Sequence, residues 1–223
     1  MSYDEYDAWQ DAAMDAFYER AMDDPSIRED FYHELYDEIV KDFTGARMRS
    51  RYESDPDIAE SAANALGESR RLDSESNSAA LIFAVIAAEV GLKSALLTPI
   101  IHGLVHADSA ASLIAKLVVS QRDEGFTRIL LSLLADHGGV DLYKYERSGS
   151  SKQLWEELKS SRQKRNLIVH QGQTASRDEA ELAVAVAAAI LEDIFPKVIA
   201  NVGLYLEGMK VRAIPSGAPA TAS

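Results

Sequence analysis

The side chains with the clearest chemical potential lie between Arg162 and His170. The run Arg165-Asn166-Leu167-Ile168-Val169-His170 puts a guanidinium, a carboxamide and an imidazole on one short segment. Arginine suits phosphate because its planar fork donates two parallel hydrogen bonds. Asparagine donates or accepts, and histidine exchanges protons near neutral pH. Cleaving RNA without a metal needs this set of groups. A base takes the 2′-hydroxyl proton, an acid protonates the leaving 5′-oxygen, and a cation steadies the phosphorane.

Position sharpens the reading. Ser150-Ser151-Lys152-Gln153 has capping-box spacing and predicts a helix that runs to His170 or Gln171, stopped by Gly172. At about 100° per residue, Leu154, Leu158, Ile168 and Val169 cluster on one side, with Trp155 at its edge. Arg165 falls in the middle of that apolar side and Arg162 near its margin. Asn166 and His170, four apart, share one row. An arginine aimed at a core is costly unless paired. The partner is a carboxylate, a bound phosphate, or a group across a dimer seam. The plainer account stays open: Arg165 pairs with a buried acid such as Glu89, and His170 only closes a helix end, where the helix dipole favours it. Lys152, Lys159, Arg162, Lys164 and Arg165 outnumber the two acids among them, Glu156 and Glu157. That excess either tracks a phosphate backbone or makes an ordinary solvated face.

The elements that must hold these residues read as helical throughout. Glycine and proline are sparse inside the periodic segments, β-branched alternation is nearly absent, and alanine and leucine are common. Helices are expected over residues 4–23, from Pro25 to Phe43, over 57–72, 108–120 and 122–136, the last stopped by His137-Gly138-Gly139. A polar connection is expected from Thr44 to Pro56. Ser76 to Leu104 is the most hydrophobic stretch and reads as the central core helix, interrupted near Pro99. Glu89 and Lys93 sit four apart on it in the favourable order. Ser176-Arg177-Asp178-Glu179 is a second capping box, opening an alanine-rich helix to about Ile194. Pro196 is positioned to kink it, Val198 to Leu206 continue in helical style, and Ala213 to Ser223 read as a disordered tail.

Composition narrows the function classes. With no cysteine, disulfides and thiolate metal sites are excluded. His102 and His106, with Asp108 nearby, have a spacing that zinc accepts, but no third ligand is obvious and a helix-end surface pair is the plainer reading; no metal and no cofactor are expected. The start is acidic, unlike a signal peptide, and the run Ala79 to Val90 is shorter than the roughly 20 apolar residues a bilayer span needs. A cytoplasmic protein with no membrane partner is expected. The net charge of −13 is unevenly placed. Residues 1–76 hold 21 acidic and 8 basic side chains, which leaves 15 of each in residues 77–223. Three parts follow: an acidic helical extension over 1–75, a helical domain over 76–205 and a flexible tail over 206–223. The extension's aromatic side chains, among them Tyr6, Trp9, Phe17 and Phe31, read as hairpin packing or as a partner surface. An acidic hairpin could also mimic nucleic acid and cover the cleft.

Arg165-Asn166-x-x-x-His170, late in a capped helix that ends at glycine and precedes one more long helix, resembles the Arg-polar-x-x-x-His motif of the HEPN superfamily (higher eukaryotes and prokaryotes nucleotide-binding). The earlier apolar helix carrying Glu89 fits the same order, and the resemblance covers roughly residues 76–205. It implies an all-α, HEPN-like bundle and a homodimer with its two motif copies facing across a cleft. It also implies metal-independent endoribonuclease activity in bacterial defence or a toxin–antitoxin system, with RNA as substrate and an antitoxin or regulatory protein as further partner. By the resemblance, Arg165 binds the scissile phosphate, Asn166 orients it or the histidine, and His170 is the general acid or base. Glu89 carries over as a partner of Arg165, while Arg162 and Lys164, from the basic excess on the same helix, are expected to complete the binding site. The motif is followed by Gln171-Gly172 rather than the His-x-Tyr ending of HEPN toxins paired with nucleotidyltransferase antitoxins. A second reading is a non-catalytic dimeric module that binds a nucleotide, RNA or a protein. An Arg165 tied up inside one chain, with His170 facing solvent away from any second subunit, would leave a helical scaffold.

Overall fold

The computed structural model describes residues 45–104 and 124–214. The helices expected over 4–23, 25–43 and 108–120 lie outside the described residues, as do His106 and Asp108. Numbered in chain order among the described residues, the helices are α1 (Gly45–Ser54), α2 (Glu60–Leu72), α3 (Asn77–Val90), α4 (Thr98–Leu104), α5 (Glu124–Gly138), α6 (Leu154–Gln171), α7 (Arg177–Ala188) and α8 (Phe195–Asn201). A short hairpin, β1 (Leu204–Glu207) and β2 (Lys210–Ala213), follows. The described chain is thus mostly helical, as expected.

The centre is α3. Ser76 caps it, its hydroxyl accepting from the Ala79 N–H. Ala80, Leu81, Ala84, Val85, Ala87 and Ala88 are all buried, so most of its circumference is covered. The alanines let neighbours approach closely: α2 and α7 lie along it, and Ser69 on α2 reaches the carbonyl of Ala80 at 2.7 Å. The interruption expected near Pro99 takes a different form. Between α3 and α4 the chain widens into a π-helical stretch, Gly91–Leu97, and the helix runs on. Proline has no N–H to donate to the carbonyl four residues back, here that of Ala95. The buried Tyr52 hydroxyl donates to that oxygen instead, at 2.7 Å. The Thr98 N–H and Oγ1 both turn to the Lys93 carbonyl. The helix also widens before Pro196. A π-helical stretch, Ala189–Ile194, precedes it, and the Phe195 N–H bonds back to Ile190. The two wide turns pack on one another, and a Cβ on Gly91 would stand 2.7 Å from Leu191 Cδ2. Each proline is therefore accompanied by a wide turn, and the helix runs on without a break.

Asn77–Leu104, 28 residues in all, is long and apolar enough to cross a membrane, which corrects the length expected from the Ala79–Val90 run. Of its most apolar window, 61% is buried inside the protein.

Four further expectations are corrected. The polar connection Thr44–Pro56 contains α1, whose Met48 and Tyr52, four apart, are fully buried. Its arginines masked that pair in the sequence. Ser150 does not cap α6. Gln153 occupies the cap without a side-chain bond, while the Ser150 hydroxyl donates to Glu157 at 2.7 Å and accepts from the Lys152 N–H. Helical character past Val198 ends at Asn201. The segment then pairs Leu204 with Ala213 through Glu207 with Lys210, turning at Gly208 with φ +63°. Leu204 and Val211 face inward, and the Val211 N–H donates to the Pro56 carbonyl at 2.9 Å. Residues 206–213, expected in a flexible tail, therefore belong to the fold.

Candidate functional site

Helix α6 is held from both ends. At its start, the buried Glu157 carboxylate receives the Arg147 guanidinium fork at 2.8 and 3.0 Å as well as the Ser150 hydroxyl. At its end, Gly172 adopts φ +67° and the terminal N–H groups close on the Ile168 and Leu167 carbonyls. The Ala175 N–H then donates to Ser78 at 2.9 Å, fastening the turn to the first residues of α3. The Ser176–Glu179 capping box opens α7 as expected.

Between these anchors α6 lies against α3 and α7. Leu154, Trp155 and Leu158 are buried, as their spacing predicts. Arg165 and Arg162, one turn apart, reach across to α3 and converge on one atom. Arg165 Nη2 and Arg162 Nε each lie 3.1 Å from Glu89 Oε1. The Arg165 contact is an aligned hydrogen bond, whereas Arg162 Nε has ion-pair distance without that alignment. Both Nε atoms are buried with no hydrogen-bond acceptor. Glu89 thus turns to the two arginines rather than to Lys93. The three side chains are 28–31% exposed, so the charges are partly desolvated and their attraction exceeds that of a surface pair. Burial, then the charge of Arg165, pulls the Arg162 pKa below its ordinary value, and Glu89 opposes this.

Arg162 has a second support. Its guanidinium lies 5.6 Å from the centre of the Trp155 ring, and Trp155 meets Tyr143 edge-on with ring centres 5.6 Å apart. This stack orients the arginine. The seven-residue spacing of Trp155 and Arg162, two helical turns, was the available signal for it.

The remaining expected residues are placed differently. Lys164 does not join Arg162 and Arg165 on Glu89 but pairs with Glu179 of α7 at 3.0 Å. Asn166 is half-buried and His170 exposed in the last turn. His170 lies five positions after Arg165, about 140° around the helix, so within one chain they diverge. Val169, expected on the apolar side with Leu158, is instead 55% exposed. Of the three partners expected for Arg165, the carboxylate within its own chain is the one present, as in the plainer account. His102, expected in a surface pair, is instead buried, and no group of three or more metal-ligating side chains occurs among the described residues.

The chain is, in class, a predominantly helical protein carrying a two-arginine, one-carboxylate cluster. Comparison with protein-family models, curated proteins and solved structures finds no match.

Proposed function

We propose that the protein is a metal-independent endoribonuclease of HEPN type, acting as a homodimer whose two α6 ends meet at a shared cleft. Arg165 and Arg162 bind the scissile phosphate, Asn166 orients it or the imidazole, and His170 transfers a proton. The ribose 2′-oxygen attacks phosphorus as its proton leaves to a base. The P–O5′ bond breaks as an acid protonates the departing oxygen, giving a 2′,3′-cyclic phosphate and a 5′-hydroxyl. The observation that carries this reading is the convergence of two guanidinium groups on a single carboxylate oxygen. It leaves more positive charge than Glu89 neutralises, and it lies on the helix that ends in an exposed Val169-His170 step. A second subunit laid against that step brings together side chains that diverge within one helix. The setting we propose is the cytoplasm, in bacterial defence or a toxin–antitoxin pair, with an antitoxin or regulatory protein as possible partner and no membrane role.

The test is incubation of the full chain with single-stranded RNA in chelator, beside His170→Ala and Arg165→Ala. Cleavage by the wild type and its loss in both variants supports the assignment; cleavage persisting in both removes it. His170, exposed and turned about 140° around the helix from Arg165, favours a second reading, a non-catalytic helical module that dimerises and binds a nucleotide, RNA or protein. RNA binding without cleavage, unaffected by His170→Ala, selects that reading.

A further inference from the structure

We infer that Glu89 is the residue that sets the charge of the ligand, making the Arg162–Arg165 pair a receptor for an internal phosphodiester and disfavouring a terminal phosphate. This rests on the nuclease reading above. Both arginines approach the same oxygen, Oε1, at 3.1 Å. Two cations therefore share one anion, and the three side chains carry a net charge of one positive unit. Lys164, beside Arg165 in sequence, adds nothing to this sum because Glu179 neutralises it at 3.0 Å.

A phosphodiester has one negative charge and balances the cluster. A phosphate monoester, with its second pKa at about 6, carries nearly two above neutral pH and leaves an excess negative charge facing Glu89. The cluster is about two-thirds buried, where such an imbalance is weakly screened. Glu89 also occupies a place where both arginines already meet an anionic oxygen, so an incoming phosphate shares the forks with it. Removing the carboxylate charge raises the cluster to two positive units and suits a dianion. With Glu89 present, the intact chain is preferred to ends bearing a terminal phosphate. Glu89 is here a specificity-determining residue, not a catalytic one.

The test is competition at pH 8 against a fluorescent 2′-O-methyl RNA bound to the full-length protein. One competitor is a 2′-O-methyl dinucleotide with a single internal diester, the other a nucleoside 3′-monophosphate. The wild type should favour the diester. Glu89→Gln should move the ratio toward the monoester by on the order of tenfold. Glu89→Asp, which keeps the charge, should retain the wild-type preference. A folded Glu89→Gln with an unchanged ratio overturns the inference and leaves the nuclease reading standing, as does a wild type that favours the monoester. A wild type that binds no RNA overturns both. If Glu89→Gln fails to fold, the wild-type and Glu89→Asp ratios decide.

Discussion

Replacing Glu89 by glutamine keeps the side chain's shape and one accepting oxygen but deletes its charge. Arg165 and Arg162 would then face each other, each about 30% exposed, with no anion at the point where both now lie 3.1 Å from one. An exposed pair contributes about 0–1 kcal/mol. Breaking a fully buried one costs about 3–5 kcal/mol. Partial burial places the Glu89→Gln loss between them, at about 1–2 kcal/mol, increased by the repulsion of the two guanidinium groups. For a chain of this size that lowers Tm by about 4 °C. Circular dichroism melts of Glu89→Gln, Arg165→Met, Arg162→Met and the double variants measure it. Because all three side chains meet at one atom, the losses should not add. Glu89→Gln/Arg165→Met should be more stable than the sum of its parts by about 0.5–1 kcal/mol or more. A Glu89→Gln protein that melts within a degree of wild type, or strictly additive double variants, would refute the claim that one carboxylate holds both arginines.

Other consequences are independent of that cluster. Gly91→Ala drives a methyl group against Leu191 between the two π-helical turns and should cost about 1–3 kcal/mol in urea unfolding, with partial recovery when Leu191→Ala makes room. Tyr52→Phe should cost about 1–2 kcal/mol, because the Ala95 carbonyl beside Pro99 loses its donor. Burial holds the Tyr52 hydroxyl protonated well above its ordinary pKa of 10.0. Its contribution is therefore complete below pH 10 and declines as pH rises beyond it, so urea midpoints between pH 9 and 11.5 should fall more steeply for wild type than for Tyr52→Phe. The chain has no cysteine, so a single Val169→Cys reports a two-fold seam directly. It should form a disulfide-linked dimer under mild oxidation, whereas Lys144→Cys, at a side chain 85% exposed, should not. Equal cross-linking at both positions would count against a seam at the end of α6.

The parts of the fold written in periodicity and caps were legible. Ser176, Gly139 and Gly172 punctuate the helices where their chemistry predicts, although Ser150 does not cap α6, and the alanine-rich α3 and α7 pack as expected. Prolines were legible only as disturbances. Pro99 and Pro196 mark where a helix must change, but whether it kinks, breaks or widens depends on the partner waiting for the orphaned carbonyl. For Pro99 that partner is Tyr52, 43 residues away from Ala95. The hairpin at 204–213 was hidden because its four-residue strands are too short to show alternation, and Gly208 alone carried the turn signal. Within the site, the Arg165–Glu89 contact was open to sequence reasoning because both residues interrupt apolar faces. The sharing of Glu89 with Arg162 was not, since it depends on the crossing of α6 over α3. Val169 shows the opposite limit: its wheel position suggested burial, and the last turn of α6 carries it out of the core.

The assignment of Arg165, Asn166 and His170 to RNA cleavage is tested most directly by the chemistry of the ends produced. End-labelled single-stranded RNA, and the same strand with a 2′-deoxy residue at the cleaved position, are incubated with the full chain in chelator and the termini read by mass spectrometry. Attack by the 2′-oxygen gives 2′,3′-cyclic phosphate and 5′-hydroxyl ends from the first strand, none from the second, and none from either with Arg165→Ala or His170→Ala. Uncut RNA, 5′-phosphate ends, or cyclic ends that survive both substitutions would contradict it.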